Sequence, residues 1–395
     1  MTEWIECTLD KLGEIVGGAT PSTKCEDYYG GSIPWITPKD LSSFKGRYIT
    51  SGERNITEKG LASCSAQMMP KDAVLFTSRA PIGYVAIASQ SVCTNQGFKS
   101  IVVNEKADPL FVYYLLKYNK DAIEAMGSGT TFKEVSGKTM RAVKVRIPLD
   151  VSYQKRIAAV LDSLDTKIEN NERINDNLEQ QAQAFFQELF VDNADPEWAI
   201  GTISDLGAVV GGSTPSKAKP EYYTETGIAW ITPKDLSVNK SKFISHGEND
   251  ITELGLKNSS ATIMPEGTVL FSSRAPIGYI AVAAGEVTTN QGFKSIVPKP
   301  EIGTAFVYYF LKHNLPIIEG MASGSTFKEV SGSTMKGVPA VIPDTDTIAR
   351  FNDFCSPIFA QQRILEEQNQ SLATLRDDLL PKLMSGEIDV SAIKL

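Results

Sequence analysis

The sequence predicts an α+β protein: two similar globular domains separated by two long antiparallel coiled-coil helices, the whole related by an approximate two-fold axis. Three observations carry this. A heptad seam runs through the middle of the chain, the chain repeats itself at an offset of 194–195 residues, and each repeat holds short β-rich segments with few helices. The segments predicted are a first domain over 1–150, a central long helix over 151–192, a second domain over 193–343 and a terminal long helix over 344–395.

Within the first domain, Gly17-Gly18-Ala19-Thr20-Pro21 reads as a turn, and Ile33–Ile36 and Ala73–Phe76 as short strands. Ser78 to Gly83 reads as a turn leading into the strand Tyr84–Ala88, and Gly97–Val103 as a further strand. Leu110–Met126 has helical spacing, with Phe111, Tyr114, Leu115, Tyr118 and Ile123 on its apolar face. Gly127–Thr131 is a loop, and Val143–Pro148 is the last strand before the helix.

The central helix presents Ile157, Leu161, Leu164, Ile168, Asn171, Asn175, Leu178, Ala182, Phe185 and Leu189 in alternating steps of four and three, a seam that one helix offers another. Ser152 is placed to cap its start, and no Pro or Gly interrupts it. About 40 residues at ~1.5 Å each reach roughly 60 Å, the length of a spacer. Adding 194 gives its partner seam: Phe351, Cys355, Ile358, Gln362, Leu365, Asn369, Leu372, Arg376, Leu379 and Leu383. Ser356-Pro357 suits a cap and first helical position, which predicts a short helix ending near Cys355 and a long one starting there. Asn171, Asn175, Gln362 and Asn369 are expected to form polar layers that fix register.

The globular blocks repeat closely. WITPKDLS at Trp35–Ser42 returns at Trp230–Ser237, SRAPIGY at Ser78–Tyr84 returns at Ser273–Tyr279, TNQGFKSIV at Thr94–Val102 returns at Thr289–Val297, and TFKEVSG at Thr131–Gly137 returns at Thr326–Gly332. The two histidines fall outside this shared set, since His246 matches Ser51 and His313 matches Tyr118. Five scattered cysteines with no CxxC predict free thiols rather than disulfides or a zinc site. No apolar run reaches the ~20 residues of a membrane span, and the start resembles no signal or transit peptide, so a cytoplasmic protein is expected. The net charge is −8, but it is concentrated in the helices: 151–195 and 344–395 contribute −5 and −4, whereas 1–150 and 196–343 contribute +2 and −1. Nearly neutral domains can bind nucleic acid if their cations cluster on one face.

Taken together, LLPKLMSGEI at Leu379–Ile388, the segments Gln154–Ala158 and Leu164–Glu169, and the TNQGFKSIV blocks resemble the specificity subunits of type I restriction-modification systems. The resemblance covers the whole chain. It implies two target-recognition domains that each read one half of an interrupted double-stranded DNA target, and helices that set the separation. It also implies docking of two adenine-methylating modification subunits, with S-adenosylmethionine, ATP and magnesium held only by partner subunits and an ATP-driven restriction subunit able to join. The chain itself would carry no cofactor and no catalysis. Consistent with that, it contains no Asn/Asp-Pro-Pro-aromatic motif, no GxxxxGK[ST] loop and no dinucleotide fingerprint.

The repeated blocks then supply the DNA-reading candidates. Arg79 and Arg274 could grip guanine O6 and N7 or a phosphate, with a structural salt bridge as the other reading. Asn95, Gln96, Asn290 and Gln291 could pair with adenine, or tie down their own turns. Lys39, Lys99, Lys133, Lys234, Lys294 and Lys328 are phosphate candidates, or solvated surface. Thr130 and Ser325 stand in the Gly-Ser-Gly loop and its twin as hydroxyl contacts. Trp35 and Trp230 fit a core better than a base stack. Two other functions stay open at this level: an enzyme acting on nucleic acid or nucleotides through those loops, and an adaptor whose domains bind proteins.

Overall fold

The computed structural model describes residues 2–129, 133–324 and 328–393. They form two compact units, Met1–Asn170 with Asn369–Leu395, and Asn171–Gln368. Each unit therefore joins one globular domain to a stretch of each long helix.

In the first unit a five-stranded sheet runs in the order Gly13–Gly17, Lys99–Val103, Val74–Ser78, Ile82–Ala88, Tyr48–Ile49, antiparallel but for the last pair. Its central strand is apolar at successive positions because both faces are covered. Val74 and Phe76 point into one core with Ile15, Ile101 and Phe111, whereas Leu75 points into another with Ile36, Leu41 and Phe98. Trp4–Thr8 pairs separately with Lys144–Pro148. The second unit repeats this with Gly207–Gly211, Lys294–Pro298, Val269–Ser273, Ile277–Ala283 and Phe243–Ile244. Trp35 and Trp230 are buried, and their indole N–H groups donate to the Ala19 and Ser213 carbonyls at 3.0 Å. That placement makes them core residues.

The turn in SRAPIGY is tighter than its sequence suggests. Ser78 already pairs with Ile82 across a bulge, so only Arg79, Ala80 and Pro81 project. The segment 110–126 is also two helices, Pro109–Tyr118 and Lys120–Ala125. Asn119 marks the break: its backbone N–H donates to the Leu115 carbonyl at 3.0 Å, and its side-chain amide donates to the same carbonyl at 2.8 Å. Tyr118, at that break, is exposed rather than part of the apolar face.

The central helix covers Val151–Gln187 and ends in a π-helical turn, Glu188–Asp192. Asp150 rather than Ser152 caps it: the Asp150 carboxylate accepts the Ser152 backbone N–H at 2.9 Å, since a carboxylate on the residue just before the helix reaches the free donors of the first turn. The terminal helix runs unbroken over Thr345–Ser385, through Pro357. Asp353, whose carbonyl loses a donor there, and Pro357 itself are both exposed, so water can satisfy that carbonyl, while Phe351, Cys355 and Ile358 stay buried. Burying Phe351 and Ile358 stabilises by about 1.5–3 kcal/mol each, enough to offset the roughly 3 kcal/mol that a helical proline costs.

In each unit the helices pack antiparallel. In the first, Tyr153 donates to Asp389 at 3.0 Å and Arg376 pairs with Asp165 at 2.8 Å, a carboxylate that also accepts the Tyr114 hydroxyl at 2.7 Å. Ile157, Leu161 and Leu383 are buried, and Leu164, Ile168, Leu372 and Leu379 are half-buried. In the second, Asn171 donates to Gln368 at 3.4 Å, Gln362 donates to the Asn175 carbonyl at 3.2 Å, and Phe185 stacks on Phe351. Leu178 and Phe185 are half-buried there, Ile358 and Leu365 buried. All five cysteines are free. Among the described residues no helix is long and apolar enough to cross a membrane.

Candidate nucleic-acid interface

The projecting turn Arg79–Pro81 meets the loop that follows residue 127. Ser128 and Glu134 exchange backbone hydrogen bonds of 3.0 and 2.9 Å, closing that loop, and Glu134 bridges to Arg79. Val135 N–H then donates to the Ser78 carbonyl at 2.9 Å. The second unit repeats each link, with Ser323, Glu329 and Arg274 bridged in the same way and Val330 N–H donating to Ser273 at 3.0 Å.

One carboxylate serves two cations here. Glu134 lies 3.6 Å from Arg79 and 3.4 Å from Lys99, and Glu329 lies 3.5 Å from Arg274 and 3.4 Å from Lys294. Each cluster keeps a net positive charge. The arginines are about one-third exposed, 34% and 36%, and their ion pairs are long, so either guanidinium can re-aim toward an incoming acceptor. Glu134 and Glu329 were not selected from the sequence. The signal was present, because the glutamate of TFKEVSG recurs at the same offset as the basic residues it serves.

The amides divide in two. Asn95 and Asn290 each accept a backbone N–H, from Gly97 and Gly292 at 2.8 Å, which ties down their own turns. Gln96 and Gln291 are exposed and held through their side-chain oxygens by the hydroxyls of Thr20 and Thr214. That leaves an amide NH₂ as the group to offer a base edge. Gly18 sits where an added Cβ would collide with the Asn95 carbonyl, so the Gly17–Pro21 turn lies directly on the Asn95–Gly97 turn. An added Cβ at Gly97 would lie 2.7 Å from Pro38, which places the start of the helix Pro38–Ser42 beside the same turn.

Lys39, next along that helix, is 78% exposed and paired with Glu53 at 2.7 Å, and its twin Lys234 pairs with Glu248 at 2.6 Å. The hydrogen bond to the carboxylate raises both ammonium pKa values above the ordinary lysine range. Lys133 and Lys328 are exposed beside the closed loops, while Thr130 and Ser325 lie outside the described residues. Among the described residues no group of three or more His, Cys, Asp or Glu could hold a metal ion. Each unit thus gathers a guanidinium and an ammonium around one carboxylate, with an exposed amide on the neighbouring turn, whose Gly97 or Gly292 carbonyl accepts the Ser78 or Ser273 N–H at 2.7 Å, an arrangement suited to acceptor-rich ligands.

Known proteins match along the whole chain. The type I restriction modification DNA specificity domain family matches residues 1–180 and again 196–374. The MjaIX specificity subunit of Methanocaldococcus jannaschii is 31% identical over 99% of this chain and 95% of its own length. The HindI specificity subunit of Haemophilus influenzae is 24% identical over 73% of this chain and 80% of its own length. Among solved structures, the S subunit of a type I restriction-modification system from M. genitalium superimposes with a TM-score of 0.64 over 97% of this chain and 96% of its own, at 17% identity. The chain belongs to the type I restriction modification DNA specificity family.

Proposed function

We propose that this chain is the DNA-recognition subunit of a type I restriction-modification complex, in which each globular domain reads one half of an interrupted target. The observation that carries the reading is the twin arrangement of Arg79, Lys99, Glu134 and Gln96 with Arg274, Lys294, Glu329 and Gln291. The guanidinium supplies the donor pair that guanine O6 and N7 accept, the exposed amide can pair with adenine, and the carboxylate can accept from cytosine N4. Lys39, Lys133, Lys234 and Lys328 contact phosphates, which position without specifying.

The long helices hold the two halves apart and dock two modification subunits, which bring S-adenosylmethionine and methylate adenine. Their acidic surfaces suit protein contacts, since they repel a phosphate backbone. A restriction subunit using ATP and magnesium joins the same assembly, and the specificity chain itself is non-catalytic and works in the cytoplasm. Because the two reading faces carry the same residues, the target is interrupted and nearly palindromic, with half-site centres on the order of one helical turn, ~10 bp, apart.

Adenine-methylation sequencing of cells that express the chain with its modification subunit tests this. One interrupted, nearly palindromic motif is expected. Two unrelated half-sites would refute the symmetry, and no methylated motif at all would refute the function.

A further inference from the structure

The two reading turns share a connection to the helices that the family likeness does not assign. Arg47 precedes the edge strand Tyr48–Ile49, and its carbonyl accepts the Ile87 N–H at 2.7 Å from the strand Ile82–Ala88, which begins where the Arg79 turn ends. Its side chain, only 6% exposed, leaves the domain and enters the central helix. Nε lies 2.9 Å from Asp162, Nη1 3.3 Å from Glu169, and Nη2 donates to Thr166 at 2.8 Å. The guanidinium thus spans two turns of one helix face.

The repeat places Lys242 at the same position, with its carbonyl accepting the Val282 N–H at 2.7 Å and its side chain equally buried at 6%. Its ammonium lies 2.5 Å from Glu179 of the central helix and donates to Gln362 of the terminal helix at 2.6 Å. Glu366 accepts the backbone N–H groups of Lys242 and Phe243 at 2.8 and 3.0 Å. A buried charge is costly unless it is paired with good geometry, and replacing such a pair by apolar residues often leaves stability unharmed. Two independently paired clamps, at matching positions but with different partners, are therefore poorly explained by stability alone.

We infer that Arg47 and Lys242 are positioning residues for target recognition, each fixing the angle at which its reading turn stands on its helices and so selecting one spacer length between the half-sites. The inference rests on the proposed reading of an interrupted target. Its physical basis is a lever: displacing a reading turn by about 3.4 Å, one base-pair rise, shifts the preferred spacer by a whole step. An apolar packing surface permits sliding of that size, whereas an ion pair with fixed partners resists it.

The test is adenine-methylation sequencing with the assembled complex carrying Arg47→Met, Lys242→Met or the conservative Arg47→Lys. The methionine variants are expected to keep both half-site words but add methylated sites whose spacer is one base pair longer or shorter, cutting the preference for the native spacer by roughly tenfold. Arg47→Lys should restore the single spacer. An unchanged single spacer at lower overall methylation, or a change in the half-site words themselves, would overturn the inference. If a methionine complex fails to assemble, Thr166→Val and Glu169→Gln leave the Arg47–Asp162 pair in place, and an unchanged spacer in both would overturn it equally. Absence of any methylated motif with the unaltered chain would instead refute the underlying function.

Discussion

The two units carry the same residues in their candidate interfaces but are fastened to their helices differently. Arg47 engages three side chains of one helix, whereas Lys242 joins a carboxylate on the central helix to an amide on the terminal one. Their carboxylates titrate in opposite directions. Burial pushes the Asp162 carboxyl up despite Arg47, while burial at Glu179 is overcome by Lys242 and Lys312, which hold its carboxyl down at about 2. The candidate interface is thus the same in both units, while the buried cation beneath it, Arg47 or Lys242, takes different partners.

The strongest way to break this likeness is to damage the mountings. Glu179→Ala leaves Lys242 and Lys312 without their shared carboxylate and is expected to cost the second unit roughly 3–5 kcal/mol, read by denaturant unfolding. Phe351→Ala empties a site ringed by Phe185, Phe186, Phe190 and Tyr309 and should cost a similar 3–5 kcal/mol, whereas Ile157→Val at the matching position should cost about 0.5–1.5 kcal/mol.

Next come the arginines proposed to read DNA. Arg79→Ala and Arg274→Ala are each expected to weaken binding by roughly 1–3 kcal/mol and to relax discrimination at one half-site only. Titration of DNA variant in one half at a time checks this, and equal losses would sharpen the equivalence of the two faces.

Acid should then separate the units. A carboxyl whose folded pKa is depressed adds stability that is present above its unfolded value and is lost as pH falls toward the folded one. The second unit should therefore weaken between the ordinary carboxylate range and about pH 2, and Glu179→Gln should flatten that loss. Asp162 has the opposite sign: its raised pKa favours the folded first unit as protons are added, and Asp162→Asn should remove that gain. Hydrogen exchange resolved by unit reads both slopes. The smallest effect belongs to Lys39→Ala and Lys234→Ala, whose ion pairs are fully solvated. Melting temperatures should not move, and each substitution should lower the salt dependence of DNA binding by about one phosphate contact.

Much of this architecture was legible in the sequence because its signals are periodic. The heptad steps from Ile157 to Leu189 and the 194–195 offset are patterns a chain cannot hide, and they gave the helices and the twin domains. Which of several available partners a residue takes was not legible. Nothing local says that Asp150 would outcompete Ser152 as a cap, that Pro357 would be carried through a helix by the buried residues around it, or that Glu134 would stand between Arg79 and Lys99. For Asn95 and Asn290 the sequence leaves adenine pairing and a turn tie both open, and the bonds from the Gly97 and Gly292 N–H groups show the turn tie in place. Arg47 and Lys242 sit in Gly-Arg-Tyr-Ile and Ser-Lys-Phe-Ile, segments that share only a basic, an aromatic and an aliphatic residue. Their role depends on what the long helices offer them.

The division of the chain between the units also sets an order of assembly. Residues 171–368 are contiguous, so the second unit has all its parts once that stretch has left the ribosome. The first unit must wait for 369–393, which supply Arg376, Leu383 and Asp389. At 5–20 residues per second, a gap of about 200 residues is a delay of roughly 10–40 s. For that interval the core holding Ile157 and Leu161 lacks Leu383, Met384 and Val390, and the half of the protein that is translated first becomes complete last.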